Sequence, residues 1–187
     1  MNYYLEGKKM ADYEKVYKLV MLGDEAVGKT SLIMMHTENR FEESYKMTIG
    51  TDISAKLVQV EETGKTAKTS VYLIIWDIGG QEKYRILRES YLRGASGALL
   101  VFDLTNKTTF HHIYEWVDEL HKFCGKDIPK FLLGNKVDIT AKREVQEDAG
   151  SNMAKELNVD YLETSAKSGQ NVNQAFNTIV QLILRNK

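Results

Sequence analysis

Short apolar runs alternate along the chain with segments in which apolar side chains recur at helical spacing. The runs over residues 17–22, 97–103, 130–135 and 160–164 have the length of strands, so they predict buried strands. Residues 172–184 carry apolar side chains at positions i, i+3, i+4, i+7, i+8 and i+11, which is typical of a helix with one face on a core. The repeated strand–helix order predicts a largely parallel sheet covered by helices.

The pattern as a whole predicts six strands and five helices. The strands predicted over 52–61 and 70–76 flank the turn-forming segment 63–65, Thr-Gly-Lys, which indicates an antiparallel hairpin. Further helices are predicted to begin near Lys29 and to cover 109–123 and 146–157. The expected fold class is therefore α/β, with a six-stranded, mostly parallel sheet, one antiparallel edge strand and five flanking helices.

The length and charge of the chain limit its organisation and its partners. The 187 residues fit one domain, and residues 1–14, which lack a clear period, are predicted to be a mobile tail before a single domain over 15–187. Hydrophobic residues make up 43% of the chain, enough for a core, which excludes an intrinsically disordered protein. The 25 basic and 26 acidic residues almost cancel, so we expect no general attraction to nucleic acid or to an anionic membrane.

Cysteine usage and the absence of targeting signals indicate a compartment. Cys124 is the only cysteine, so no intrachain disulfide can form, which suits the reducing cytoplasm. No apolar run approaches the ~20 residues that span a bilayer. The sequence has neither a second-position glycine nor a C-terminal cysteine for lipidation. We therefore expect a cytoplasmic monomer without a membrane anchor of its own, which reaches membranes through partners.

The first chemical motif follows the first predicted strand, where residues 23–30, Gly-Asp-Glu-Ala-Val-Gly-Lys-Thr, match G-x-x-x-x-G-K-[ST]. Two glycines allow a tight turn whose backbone N–H groups point at phosphate oxygens, at the positive end of the following helix. Lys29 is expected to reach the β and γ phosphates, and the Thr30 hydroxyl to bind Mg²⁺. The alternative is an ordinary glycine-rich turn. The predicted phosphate site comprises Gly23, Glu25, Ala26, Val27, Gly28, Lys29, Thr30 and Ser31.

A second motif indicates which base the nucleotide carries. Residues 135–138, Asn-Lys-Val-Asp, follow a predicted strand and read N-K-x-D. The ionised carboxylate of Asp138 only accepts hydrogen bonds, so it can pair with both N1–H and the 2-amino group of guanine, whereas adenine offers neither donor. Residues 163–167, Glu-Thr-Ser-Ala-Lys, follow the last predicted strand, and their backbone N–H groups can meet guanine O6. The predicted base site comprises Asn135, Lys136, Asp138, Ser165, Ala166 and Lys167.

Together these motifs resemble those of the small GTPases of the Ras superfamily, and the Rab branch most closely. The resemblance covers residues 16–185 and includes two more segments in family order. Residues 45–50 resemble the first switch with its T-I-G sequence, and residues 77–82, Asp-Ile-Gly-Gly-Gln-Glu, resemble the D-x-x-G-Q-E of the second switch. The resemblance implies a Ras-like G domain with the P-loop NTPase fold, GTP or GDP as the bound nucleotide, and Mg²⁺ as its metal ion.

The resemblance also implies roles for residues around the γ-phosphate. Thr30, Thr48 and Asp77 would hold Mg²⁺, with Asp77 acting through water. The backbone N–H of Gly80 would contact the γ-phosphate, and the side chain of Gln81 would orient the attacking water. Hydrolysis would then be a slow in-line attack of water, promoted by positioning and charge neutralisation. The implied catalytic residues are Gln81, Lys29 and Thr48.

Further expectations from the resemblance concern the base and the partners. Phe41 would pack edge-on against guanine, and Tyr45 would contact the nucleotide from the first switch. The protein would be a GTP/GDP molecular switch in membrane traffic or related signalling. An exchange factor, a GTPase-activating protein and effectors would bind through the segments 45–53 and 76–91.

Several residues depart from the family pattern and leave alternatives open. Glu25 stands where the family usually has a small residue, Met47 where many relatives have proline, and Ile53 where Rab proteins usually carry an aromatic residue. The Glu25 carboxylate either obstructs an activator's arginine or points into water. If Glu25 blocks turnover, the protein would be a persistently GTP-bound binding scaffold rather than a hydrolysing switch. A further alternative is an ATP-dependent kinase or ATPase. The histidines are expected to be solvated or packing residues: His36, His111, His112 and His121.

Overall fold

The computed structural model of the protein describes residues 4–5, 8–9, 15–44, 47–61, 68–81 and 85–186. Most of the predicted tail over 1–14, the turn over 63–65, and Tyr45 and Glu82 of the two switches lie outside these residues. Within the tail, Tyr4–Leu5 (β1) and Lys8–Lys9 (β2) pair as a short antiparallel ladder.

Six further strands of the described residues form one mixed sheet: β3 (Val16–Leu22), β4 (Thr51–Val60), β5 (Thr69–Ile78), β6 (Gly97–Asp103), β7 (Lys130–Asn135) and β8 (Asp160–Thr164). Their order in the sheet is β4-β5-β3-β6-β7-β8. The β4–β5 pair is antiparallel, from Thr51 opposite Ile78 to Val60 opposite Thr69, and the other neighbouring pairs are parallel. The predicted fold class is confirmed, with its antiparallel strand at the sheet edge.

The α-helices of the described residues are α1 (Lys29–Glu38), α2 (Arg85–Leu92), α3 (Lys107–His111), α4 (Ile113–Cys124), α5 (Glu147–Leu157) and α6 (Val172–Arg185). The single helix predicted over 109–123 is therefore two helices, which meet at His112. The ψ angle of His112 is −8°, far from the about −42° of an α-helix. Two hydrogen bonds join α3 to the end of β6 and the loop that follows it. The Asn106 side chain caps the helix by accepting the N–H of Thr108, and the Thr109 hydroxyl accepts the N–H of Asp103.

Helices cover both faces of the sheet. Successive side chains of β3 point to opposite faces, as in any strand. Leu19 and Met21 pack in the cluster beneath α1 and α6, whereas Val20 and Leu22 pack in the cluster beneath α4 and α5. All four are fully buried, which explains why the strands of this sheet read as continuous apolar runs. In the described ranges, none of the helices is long and apolar enough to cross a membrane.

The direction of the strands places four loops together. The parallel strands β3, β5, β7 and β8 all end at one edge of the sheet. Gly23, Asp77, Asn135 and Ser165 lie within two residues of these strand ends. Open α/β sheets bind ligands at this edge, so the motifs found in the sequence converge where such a site is expected.

Candidate functional site

A cavity of about 550 Å³ opens at this edge of the sheet. Most of the predicted site residues line it: Glu25, Ala26, Gly28, Lys29, Thr30, Ser31, Phe41, Thr48, Gly80, Gln81, Asn135, Lys136, Asp138, Ala166 and Lys167. Gly23, Val27, Asp77 and Ser165 do not line the cavity and are buried instead. Tyr45 lies outside the described residues.

The phosphate loop over residues 23–30 packs so closely on its neighbours that its glycines have no room for a side chain. A Cβ atom on Gly28, whose φ is +98°, would lie 2.3 Å from Nδ2 of Asn135. A Cβ atom on Gly23 would lie 2.1 Å from the carbonyl oxygen of Val101 in β6. The loop therefore packs directly on the sheet, and α1 begins at its end with Lys29. The positive end of the α1 dipole favours an anion in this cavity.

Lys29 places a buried ammonium group inside the loop. Its Nζ donates to the carbonyl oxygens of Gly23 and Asp24, both at 2.7 Å, and the residue is 6% exposed. Burial lowers the pKa of Lys29 to about 8, against the opposing charges of Asp77 and Asp24. An anion in the cavity would stabilise the protonated form of this amine.

Three oxygen-bearing side chains meet beside Lys29. Oγ1 of Thr30 lies 2.9 Å from Oγ1 of Thr48, and both hydroxyls contact Oδ2 of Asp77. The other carboxylate oxygen, Oδ1 of Asp77, is buried without a hydrogen-bond partner among the described residues. Burial raises the pKa of Asp77, while the hydrogen bond from Thr30 and the charge of Lys29 oppose the rise. A cluster of oxygen donors with one unsatisfied carboxylate oxygen fits a hard divalent cation such as Mg²⁺.

The loops after β7 and β8 are joined to the phosphate loop by one amide. Nδ2 of the buried Asn135 donates to the Val27 carbonyl at 2.9 Å, while its Oδ1 accepts from Thr164 and from the N–H of Ala166. Asn135 therefore bridges three loops rather than projecting freely into the cavity. This bridge fixes the position of the residues predicted to contact the base relative to the phosphate loop.

The other residues of the N-K-x-D motif are also held by neighbours. Nζ of Lys136 pairs with Asp103 at 2.6 Å, and Oδ1 of Asp138 accepts a hydrogen bond from Oγ of Ser165 at 2.5 Å. The same Ser165 oxygen accepts the N–H of Ser168 at 3.0 Å, so the hydroxyl links the two base loops. A carboxylate held in this way presents its remaining acceptor capacity to the cavity.

The second switch begins in contact with the phosphate loop. A Cβ atom on Gly80 would lie 2.3 Å from the carbonyl carbon of Asp24 and 2.4 Å from the backbone nitrogen of Glu25, so only glycine allows this approach. The neighbouring Gln81 directs Nε2 at the sulfur of Met47, and its Oε1 is buried without a hydrogen-bond partner in the described part of the chain. The structure thus brings Gln81 from the second switch against Met47 from the first.

Sequence reasoning missed part of the cavity wall. Met34 of α1, the loop residues Glu42, Glu43 and Ser44, and Met47 and Ile139 also line the cavity. Glu43 lies 3.3 Å from Nζ of Lys167, across the mouth of the base region. Met47 lies in the first-switch segment without having been predicted to line the site, and the other positions belong to no motif, so only their spatial proximity reveals them.

The environment of Glu25 is compatible with both alternatives, obstruction of an activator's arginine and a side chain that points into water. Its side chain is exposed, and it borders both the cavity and a groove of about 1190 Å³ between α2 and α4. The preceding Asp24 accepts hydrogen bonds from His112 and Trp116 at 2.6 and 2.8 Å. His112, expected to be solvated or packing, therefore also binds the phosphate loop, which no sequence pattern indicated.

A mostly parallel α/β sheet with a G-x-x-x-x-G-K-[ST] loop after its first long strand and N-K-x-D after a later one defines a P-loop nucleotide-binding protein. Comparisons with known proteins narrow this class. The model of the Ras family matches residues 18–185. The chain is 38% identical to "Ras-related protein Rab-1" of Theileria parva over 175 residues, 93% of this chain and 77% of that protein.

Two more relatives show similar agreement. "Ras-related protein RIC1" of Oryza sativa subsp. japonica is 39% identical over 168 residues, and "Ras-related protein Rab-1A" of Dictyostelium discoideum is 40% identical over 168 residues. In both cases the match covers 90% of this chain and 80% of the relative. The chain belongs to the Ras family. It is a small GTPase, which binds guanine nucleotide, hydrolyses GTP and acts as a GTP/GDP switch with regulators and effectors. This family membership favours neither a persistently GTP-bound scaffold nor an ATP-dependent kinase or ATPase.

Proposed function

We propose that the cavity holds GTP with Mg²⁺. Thr30, Thr48 and Asp77 would hold the ion at the γ-phosphate of the nucleotide. The convergence of these three side chains beside the Lys29 ammonium carries the proposal. Thr30 and Thr48 would bind Mg²⁺ directly and Asp77 through water, and the ion would neutralise phosphate charge. Because Thr48 belongs to the first switch, loss of the γ-phosphate would release that segment.

The proposed chemistry is in-line hydrolysis by a positioned water. The Lys29 ammonium stabilises charge on the β and γ phosphates, and the N–H of Gly80 donates to the γ-phosphate. Gln81, which lines the same cavity and contacts Met47, would orient the attacking water. No covalent intermediate is needed, because positioning and charge neutralisation supply the rate enhancement.

The base end of the cavity is proposed to select guanine. Asp138 would accept from N1–H and the 2-amino group, the N–H of Ala166 would meet O6, and Phe41 would pack edge-on against the ring. Phe41 is half-buried against the core cluster beneath α1 and lines the cavity, which supports this placement. Lys136 and Lys167 complete the wall around the base.

Partners are proposed to bind through the segments 45–53 and 76–91. Four apolar side chains are exposed among the described residues of these segments, with Ile49 at 72%, Ile53 at 52%, Leu87 at 46% and Met47 at 40% of their maximal surface. Exposed apolar side chains concentrated in two segments of a small domain favour a protein-binding surface there. By similarity to Rab proteins, we propose that residues 15–187 act as one cytoplasmic, monomeric G domain in membrane traffic, associated with membranes through partners.

The test of this site measures nucleotide binding and single-turnover hydrolysis of radiolabelled GTP in parallel. Thr30→Ala is expected to weaken the Mg²⁺ dependence of GDP retention, since one cation ligand is lost. Thr37→Ala is the matched control, because Thr37 lies on the same helix and its hydroxyl bonds only to backbone, the Ile33 carbonyl at 2.8 Å. GDP release that EDTA accelerates equally in wild type and Thr30→Ala would exclude Thr30 as a metal ligand.

A further inference from the structure

Arg88 is a buried cation in the second switch helix that faces away from the nucleotide cavity. It lies on α2, is 3% exposed, and lines the groove between α2 and α4. Its Nη2 donates to the carbonyl oxygens of Gln81 at 3.0 Å and of Gly80 at 3.3 Å. The guanidinium therefore holds the backbone of the two residues that we propose to face the γ-phosphate and the attacking water.

The other side of Arg88 is anchored on α4. Its Nη1 donates to Oε2 of Glu119 at 2.9 Å, and its guanidinium carbon lies 4.2 Å from the ring centroid of Trp116. The planar fork is thus stacked on one neighbour, paired with a second and bonded to the switch backbone, an arrangement that favours arginine over lysine.

The same indole also contacts the phosphate loop. Nε1 of Trp116 donates to Oδ1 of Asp24 at 2.8 Å, and the other carboxylate oxygen of Asp24 contacts Nδ1 of His112 at 2.6 Å. Trp116 is therefore a shared support for the loop that holds phosphate and, through Arg88, for the turn that carries Gln81. Gly80 itself packs on the loop backbone at Asp24 and Glu25. The support from Trp116 and this backbone contact therefore fix the same two segments, the phosphate loop and the turn that carries Gln81.

We infer that Arg88 is a positioning residue for GTP hydrolysis, which fixes the backbone of Gly80 and Gln81 against the phosphate loop from its support on Trp116 and Glu119. This inference rests on the proposed role of Gln81. Two adjacent glycines, Gly79 and Gly80, make this turn costly to order, and hydrogen bonds to its carbonyls reduce the freedom that must be lost before reaction.

The experiment compares single-turnover GTP hydrolysis with GDP affinity in Arg88→Gln and Arg88→Lys. We expect Arg88→Gln to lower the unaided hydrolysis rate about tenfold while GDP affinity changes by less than about twofold, and Arg88→Lys to recover part of the rate. Arg93→Gln is the matched control, because Arg93 lies just beyond the same helix, and both Arg93 and its ion-pair partner Glu89 are solvent-accessible. A wild-type rate in Arg88→Gln, or equal losses of rate and GDP affinity, would overturn the inference.

Two further variants keep the result decisive. If Arg88→Gln unfolds because Glu119 is left as a half-buried, unpaired carboxylate, the Arg88→Gln/Glu119→Gln double variant removes both charges and should show the same selective loss of rate. Gln81→Leu separates the two proposals. If Gln81→Leu retains the wild-type rate, the proposed role of Gln81 is wrong. If it abolishes hydrolysis and the charge-free double variant hydrolyses GTP normally, only the role of Arg88 is wrong.

Discussion

At the scale of single residues, the Asp138 carboxylate is the feature that we propose to separate guanine from other bases. Its Oδ1 is already held by Ser165, so the carboxylate is preoriented. Asp138→Asn replaces an acceptor with a group that also donates, which suits the 2-oxo group of xanthine and opposes the 2-amino group of guanine. We expect GDP affinity to fall by at least roughly 30-fold, corresponding to about 2 kcal/mol, and xanthine nucleotides to be preferred.

Competition between GDP and XDP for a fluorescent nucleotide measures this preference directly. Asp148→Asn is the matched control, since Asp148 is exposed in the first turn of α5 and bonds only locally, to the N–H of Ala149. Retained preference for guanine in Asp138→Asn would contradict the assignment of residues 135–138 as the base reader.

Glu25 is the other residue whose chemistry stands apart from the family pattern. Its exposed carboxylate borders the γ-phosphate end of the cavity, beside Gly80, where an activator's arginine would have to enter. If the carboxylate is obstructive rather than only solvated, it would attract such an arginine and misplace it. We expect Glu25→Gly to raise activator-stimulated hydrolysis and to leave the unaided rate nearly unchanged. Equal stimulated rates, measured with an activator shown to bind both proteins, would identify Glu25 as an ordinary surface residue.

At the scale of elements, the two switch segments share one set of contacts. Thr48, just before β4, bonds to Thr30 and Asp77, while Gly80, just after β5, packs on the phosphate loop. β4 and β5 pair antiparallel, with Thr51 opposite Ile78, so we expect a change at either contact to affect both strand ends. We expect hydrogen exchange in peptides containing Thr48 or Gly80 to be slower with a GTP analogue than with GDP.

Peptides from β6 and α6 serve as the internal reference, because their side chains are buried in the two core clusters, away from the γ-phosphate end. Their exchange should be equal in the two nucleotide states. Equal exchange in the switch peptides as well would contradict a nucleotide-dependent switch.

The elements also show why pattern reasoning has a limit. Strands of the six-stranded sheet lie within two residues of their predicted bounds, because burial on both faces leaves a strong apolar signal. The division between α3 and α4 was not predictable in the same way. It depends on Thr109 and Asn106 bonding around the end of β6, and polar residues that form such bonds also occur inside helices.

At the scale of the whole molecule, His36 couples folding stability to pH. It stacks on Phe176 with ring centroids 4.0 Å apart and contacts Asn173 at 2.8 Å. Burial lowers the pKa of His36 to about 4, while the Asn173 hydrogen bond opposes the shift and Lys56 adds to it. Below about pH 6.5 the unfolded chain takes up a proton that the folded protein does not, so stability falls as the pH drops toward 4, by ~3 kcal/mol in all.

Denaturant unfolding of the GDP-bound protein between pH 7 and pH 4 measures this loss. The free energy of unfolding of His36→Leu should fall less steeply over that window than that of wild type, because the buried imidazole is gone. His111→Gln should follow the wild-type curve, since His111 is exposed. Parallel curves for wild type and His36→Leu would show that His36 does not carry the pH dependence.

The sequence by itself determined the α/β class and the order of strands and helices along the chain, and it predicted the loops that we propose to bind phosphate and base. It did so because burial on both sheet faces and the geometry of phosphate binding each require particular residue types at fixed spacing. The tertiary structure decided what depends on residues far apart in the chain. Asn135 bonds to Val27 across 108 positions, and Trp116 bonds to Asp24 across 92. A side chain such as Arg88 has no local signal for its role, because its partners meet only when α2, α4 and the strand ends pack together.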